Sequence, residues 1–132
     1  MARAGRYRIL SPLASELFLH DMPSDELIAV LCTAPVADAE RIANAIIETR
    51  CGACVNVLRG VSSIYRWQGA IERADEALLI IKTTRERFEA LKDTIVKIHP
   101  YSTPEIIALP IVAGAEFYLR WVKTETQPSP KG

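Results

Sequence analysis

The chain has 132 residues, 49% hydrophobic and 24% charged, which is the composition of one compact domain with enough apolar material for a core. Sixteen basic residues offset sixteen acidic ones, so no charge excess indicates nucleic acid or an anionic membrane as a partner. No apolar run approaches the roughly 20 residues that span a bilayer, and Pro12 and Glu16 interrupt the early apolar patch, unlike a signal peptide. We therefore expect a cytoplasmic protein.

Composition divides the chain into three segments. Residues 1–24, which carry Arg, Ser and Pro, are expected to form a flexible N-terminal extension. A single folded domain is expected over residues 25–125, and a disordered tail over residues 126–132.

The domain opens with a strand and a helix. The continuous apolar run Leu27–Thr33 predicts a strand buried on both faces, which Pro35 should stop. Apolar residues then recur at helical spacing from Val36 to about Arg50. Gly52 stands where the C-cap of this helix is expected.

A long β-hairpin follows. Two runs rich in β-branched and aromatic residues, Ala53–Arg66 and Ala70–Thr83, are joined by the tight turn Trp67–Gly69. Gly60 and the polar stretch Arg73–Glu76 are expected bulge or bend sites. Strands of about a dozen residues are roughly twice the usual length. Because one small domain covers only the base of such an arm, the outer part is expected to pack on another copy of the chain.

The rest of the domain contains two helices and one strand. Thr83 and Glu86 have the spacing of a capping box for a helix that Pro100 closes. Glu105–Val112 is predicted as the fourth strand, and Glu116–Thr124 as a C-terminal helix. The order βαββαβ plus a helix predicts an α+β, ferredoxin-like fold.

This topology brings chemically active side chains to one rim. It places the first strand between the third and the fourth, so Cys32 should lie near His99 and Glu105. A thiol and an imidazole suit copper or zinc better than magnesium. The alternative is that Cys32 is only a packed core residue and that His99 only caps the preceding helix.

Cys51 and Cys54 form a C-x-x-C pattern, which suggests a redox dithiol. Such motifs normally begin a helix, where the dipole stabilises a thiolate. Here the pattern follows a helix and enters a strand. Thiols without redox function are therefore the favoured interpretation.

A second candidate site lies on the hairpin. An inter-subunit pocket is predicted from Tyr65, Trp67, Glu72, Lys82, Tyr101 and Glu105. The alternative, which we favour, is that the hairpin aromatics are interface anchors. No phosphate loop, nucleophile elbow or catalytic carboxylate pair is evident, so we expect a protein that is not an enzyme and has no organic cofactor.

Several motifs in order resemble the CutA family of divalent-cation tolerance proteins over residues 26–124. The motifs are Val30–Pro35, Ala53–Asn56 with Gly60, Ser63–Tyr65, Trp67–Ile71, Ile81–Thr84 and His99–Glu105. The resemblance implies a cytoplasmic homotrimer whose long hairpins pack around a threefold axis. It also implies a role in metal homeostasis and in the response to copper and other divalent ions.

The resemblance further implies copper(II), or another divalent transition metal, bound weakly by Cys32 and His99. In bacterial members of that family, the resemblance implies a second histidine ligand at the position of Ile98, so one implied ligand is missing in this chain. Two alternatives remain open: a trimer similar to PII-like signalling proteins that holds a small anionic effector between subunits, and a purely structural or anchoring trimer.

Overall fold

The computed structural model of the chain describes residues 26–128. The elements are β1 (Leu27–Pro35), α1 (Val36–Glu48), β2 (Cys54–Trp67), β3 (Ala70–Thr84), a 3-10 turn (Arg85–Arg87), α2 (Phe88–Ile98), β4 (Ile107–Pro110) and α3 (Glu116–Glu125). The predicted N-terminal extension and most of the predicted tail lie outside these residues. None of the helices within 26–128 has the length and apolar character that crossing a membrane requires.

The strands form one antiparallel sheet in the order β2-β3-β1-β4. The predicted position of β1, between β3 and β4, is therefore confirmed, and the fold class is α+β. Helices α1 and α2 cover one face of the sheet, because alternate side chains of β1 and β3 are apolar and pack with the apolar stripes of both helices. The hydrophobic core between the sheet and these helices includes the buried side chains of Ile28, Val30, Cys32, Leu79, Ile81, Ile42, Ile46, Leu91 and Ile95.

Helix α3 lies on the other face. Its Tyr118 contacts Cys54, which pairs with Lys82 and so points away from the core side chain of Ile81. Val122 anchors the helix and is fully buried.

The hairpin extends beyond the sheet. β2 has 14 residues and β3 has 15. β1 pairs with β3 only as far as Glu76, so residues 70–75 of β3 pair with β2 alone. The turn residues Gln68 and Gly69 both have positive φ, 51° and 83°, as a two-residue hairpin turn of type I′ requires.

One of the two predicted irregularities in the hairpin is real. The register shifts between Leu58 and Val61, where Gly60 has a φ of 83°, so the bulge at Gly60 is confirmed. β3 keeps a continuous register from Arg73 to Glu76, so the bulge predicted there is wrong. At the end of this stretch, Glu76 accepts a hydrogen bond from the hydroxyl of Tyr101.

Both predicted capping features are wrong. Gly52 does not cap α1, since Arg50 adopts the left-handed φ of 61° and Gly52 is instead packed between two side chains. A Cβ on Gly52 would lie 2.7 Å from Cγ2 of Ile46 and 2.8 Å from Cγ2 of Ile81. Thr83 does not open a capping box either, because its hydroxyl donates to the carbonyl oxygen of Cys51 at 2.6 Å.

Two strand boundaries also differ from the prediction. β1 continues through Ala34 to Pro35 because β4 pairs with β1 only up to Leu31. Beyond that point the β4 side of β1 is unpaired, so the missing N–H of Pro35 costs no bond there. β4 itself is shorter than predicted and covers only Ile107–Pro110.

Candidate functional site

The end of β1 meets the loop after α2, as the topology predicts. His99 is the C-cap residue of α2 and is only 8% exposed. Its Nε2 lies 2.8 Å from the carbonyl oxygen of Thr33, and its Nδ1 lies 3.1 Å from the backbone nitrogen of Tyr101. A carbonyl only accepts and a backbone N–H only donates, so Nε2 carries the proton and Nδ1 accepts. Both ring nitrogens are therefore used in tying the loop to β1.

Cys32 lies next to this contact but faces the core. Its side chain is fully buried, and its Sγ lies 3.7 Å from the carbonyl oxygen of Thr33. Burial, followed by the negative charges of Glu105 and Glu76, raises the pKa of the Cys32 thiol to about 12. At neutral pH the side chain is thus a protonated thiol.

The two predicted metal ligands are close to one rim but are not arranged as a ready site. Within residues 26–128, no group of three or more His, Cys, Asp or Glu side chains is placed to hold a metal ion. The donor types suit copper or zinc. An ion would nevertheless have to displace the hydrogen bonds of His99 and remove the proton of Cys32. Ile98 packs against the hydrophobic core, as its place in the apolar stripe suggests.

The C-x-x-C cysteines are separate structural residues. Cys51 is buried between α1 and α2, with its Sγ 2.9 Å from the hydroxyl of Thr49 and 3.3 Å from the hydroxyl of Thr94. Cys54 begins β2 and contacts Tyr118. All three cysteines are free thiols. Cys51 follows the C-terminal end of α1, whereas redox motifs of this pattern normally begin a helix.

A cleft of about 620 Å³ opens between the hairpin and the loop after α2. Four of the predicted pocket residues line it: Tyr65, Trp67, Tyr101 and Glu105. The remaining lining residues, which sequence reasoning missed, are Thr33, Ser63, Ile64, Glu76, Ser102 and Thr103.

The other two predicted pocket residues do not line this cleft. Lys82 pairs with Cys54 at the base of the hairpin, and its ammonium group donates to the side-chain oxygen of Asn56. It is six residues from Glu76, about 20 Å along an extended strand. Glu72 pairs with Tyr65 but is not among the residues that form the cleft wall.

Glu76 is the most informative residue that sequence reasoning missed. It is only 4% exposed, and its Oε2 accepts a hydrogen bond of 2.7 Å from the hydroxyl of Tyr101. Burial and this carboxylate raise the pKa of Tyr101 above its ordinary value. The signal in the sequence is the polar stretch Arg73–Glu76 inside β3, a pattern that a bulge or bend site and a buried, hydrogen-bonded carboxylate share.

The family model described as "CutA1 divalent ion tolerance protein" matches residues 28–125. The chain belongs to this family. The divalent-cation tolerance protein CutA of Thermus thermophilus is 47% identical over 98 residues, which are 74% of this chain and 95% of that protein. The predicted family resemblance is confirmed, and metal tolerance is the role by which the CutA relatives are named.

Solved CutA structures have the same fold. The crystal structure of CutA1 from Oryza sativa matches with a TM-score of 0.76 and 40% identity, covering 79% of this chain and 96% of that one. A CutA from Archaeoglobus fulgidus, titled a periplasmic protein, matches with a TM-score of 0.74 and 36% identity, covering 76% of this chain and 99% of its own.

Proposed function

We propose that the chain is a non-enzymatic, cytoplasmic CutA protein that acts in metal tolerance as a homotrimer of ferredoxin-like subunits and binds copper(II) weakly. Family membership supports the metal tolerance. The element order with the strand order β2-β3-β1-β4 supports the ferredoxin-like subunit. Three free thiols support a reducing compartment. Fractionation of cells that express the native chain tests the location.

The main observation behind the trimer is that two different apolar surfaces lie at opposite edges of the sheet. The hairpin surface comprises Ile64, 60% exposed, and Ile71, 70% exposed, on the arm that leaves the sheet. The β4 surface comprises Ile107 and Leu109 of β4, which are 49% and 48% exposed, together with Phe117 of α3, the helix on the sheet face opposite α1 and α2, which is 76% exposed. Large apolar side chains this exposed are typical of protein interfaces.

Two unlike surfaces favour a head-to-tail contact, in which the hairpin surface of one copy meets the β4 surface of the next. Such contacts close into a ring when the rotation allows it, and the family resemblance implies a ring of three. Sedimentation velocity over a hundredfold range of concentration tests this. A stable monomer throughout that range would contradict the trimer.

For copper, we propose weak binding at the rim formed by Cys32 and His99. The ligands would be the thiolate and the neutral imidazole, and the hydrogen bonds that must be displaced account for the weakness. Binding should weaken further as pH falls, since protons compete for both donors.

Calorimetric titration with copper(II) and with redox-inactive zinc(II) tests this site. All proteins carry Cys54→Ser, so that the partly exposed thiol does not contribute. His99→Gln retains an amide donor for the Thr33 carbonyl and removes the imidazole, and it should weaken binding at least tenfold. Isotherms identical to the parent protein would exclude His99 as a ligand.

The PII-like alternative is less well supported by the cleft. An anionic effector would meet the carboxylates of Glu76 and Glu105, while Lys82, the expected cationic partner, is at the far end of the hairpin. A thermal shift with a nucleotide or organic anion, and none with metal, would favour that alternative. A structural trimer without a ligand would show no shift with either.

A further inference from the structure

The hairpin cleft has the size and the wall of a small-molecule site. Its volume of about 620 Å³ is within the range of roughly 300–1,000 Å³ that is usual for ligand pockets. One wall belongs to β2 and consists of Ser63, Ile64, Tyr65 and Trp67. The opposite wall belongs to the loop after α2 and consists of Tyr101, Ser102, Thr103 and Glu105. All of these residues belong to one subunit. Ile64 is also part of the hairpin surface, so in the proposed trimer the cleft lies beside the contact between subunits.

The cleft is negatively charged. Glu76 is almost fully buried and is one of the residues that line the cleft. Glu105 adds a second carboxylate, and no Lys, Arg or His is present among the described residues that form the wall. The same two carboxylates contribute to the high pKa of Cys32, which indicates a negative potential in this region.

Three aromatic rings accompany these carboxylates. Tyr65, Trp67 and Tyr101 line the cleft and remain 42%, 43% and 37% exposed, so part of each ring is available to a ligand. The electron-rich faces of Trp and Tyr attract cations within about 6 Å. The hydroxyls of Ser102 and Thr103 add hydrogen-bond acceptors at the loop wall.

We propose that this cleft binds a small organic cation of the alkylammonium type. The carboxylates supply the charge and the aromatic rings supply cation–π and apolar contact. A bare metal ion fits these observations less well, because the cavity is far larger than an ion and the described residues provide no cluster of three ligands there. The inference does not depend on the proposed copper site.

Calorimetry on the full chain, in its purified oligomeric state, tests the proposal with choline, tetramethylammonium and putrescine. The control ligand is 3,3-dimethyl-1-butanol, the neutral isostere of choline. At least one ammonium should bind, and for choline the neutral isostere should be at least tenfold weaker. Equal binding of choline and its isostere, or no binding of any ammonium, would overturn the proposal.

Variants locate the site. Glu105→Gln changes an exposed residue and should weaken ammonium binding at least tenfold, with an unchanged circular dichroism spectrum. Glu72→Gln, on the same hairpin but outside the cleft wall, is the matched control and should leave binding unchanged. Equal loss in both variants, or none in Glu105→Gln, would contradict the assignment. In the parent protein, copper binding without binding of any ammonium would refute this inference alone, and ammonium binding without copper binding would refute only the copper proposal.

Discussion

At the scale of single residues, the buried thiol of Cys32 makes the free energy of unfolding depend on pH. Its thiol has a pKa of about 12 in the folded chain, whereas an unfolded cysteine titrates near about 8.5. The folded state therefore keeps a proton that the unfolded state loses above about pH 8.5. The resulting stability is fully present below that pH and is lost as pH rises toward 12.

We expect the free energy of unfolding to fall by about 2 kcal/mol between pH 8 and pH 10 because of this residue alone. Denaturant unfolding at a fixed protein concentration measures the fall. Cys32→Ala should remove that part of the pH dependence, and Cys54→Ser should retain it. A parallel pH profile for Cys32→Ala and the parent protein would show that the thiol does not titrate as described.

The hydrogen bond from Tyr101 to Glu76 is the second residue-scale feature. Tyr101→Phe preserves the ring next to His99, whose centroid is 4.8 Å away, but deprives a buried carboxylate of its donor. We expect a loss of about 1–3 kcal/mol in unfolding free energy.

A double-mutant cycle isolates that bond. Glu76→Gln removes the charge, so Tyr101→Phe should cost less in this background, with a coupling of about 1 kcal/mol or more. Additive effects of the two substitutions would mean that the hydroxyl and the carboxylate do not stabilise each other.

At the scale of elements, the junction between α1 and β2 depends on the absence of a side chain at Gly52. The methyl group of Gly52→Ala would meet Ile46 and Ile81 at less than 3 Å. Such overpacking typically costs about 1–3 kcal/mol, and thermal unfolding should show it. A variant as stable as the parent would mean that the helix moves away from β3 without cost.

Gly69→Ala is the contrasting substitution. No atom of the described residues lies within 4 Å of the Cβ position at Gly69, so the expected cost of about 1 kcal/mol comes from the positive φ.

Sequence patterns predicted the elements better than their ends. The apolar run of β1 and the stripes of α1 and α2 are strong periodic signals, and these elements were found. The role of Gly52 was not predictable, because a glycine needed for close packing and a glycine needed for a cap look alike in a sequence. The end of β1 at Pro35 depends on where β4 stops pairing, which is tertiary information.

For the candidate site, the sequence predicted which segments meet but not the hydrogen bonds between them. Topology alone brought the end of β1 to the loop of His99. The hairpin aromatics were predicted to line a pocket between subunits or to anchor an interface, and both stay predictions; the cleft that Tyr65 and Trp67 line is formed within one subunit. The hydrogen bonds that occupy both nitrogens of His99, and the burial of Glu76, depend on side-chain placement that no spacing rule gives.

At the scale of the whole molecule, the proposed head-to-tail contact can be tested by complementation. Ile71→Glu damages the hairpin surface, and Phe117→Glu damages the β4 surface, both at strongly exposed positions. Each variant alone should sediment as a monomer. A mixture should form heterodimers, because the intact hairpin surface of one variant can meet the intact β4 surface of the other.

Self-association of the Phe117→Glu variant alone would instead indicate that hairpins pair with hairpins. The circular dichroism spectra of both variants should match the parent protein, since neither side chain belongs to the buried core.

The open borders of the sheet have a consequence for the life of a single copy. Among residues 26–128, β2 and β4 each have one neighbouring strand, so the outer edge of each presents backbone groups with which an extended peptide can pair. A newly synthesised copy therefore has two edge strands that are available for pairing until it assembles with other copies of the chain. Substitutions that separate the subunits therefore also expose edges at which copies can pair into larger assemblies.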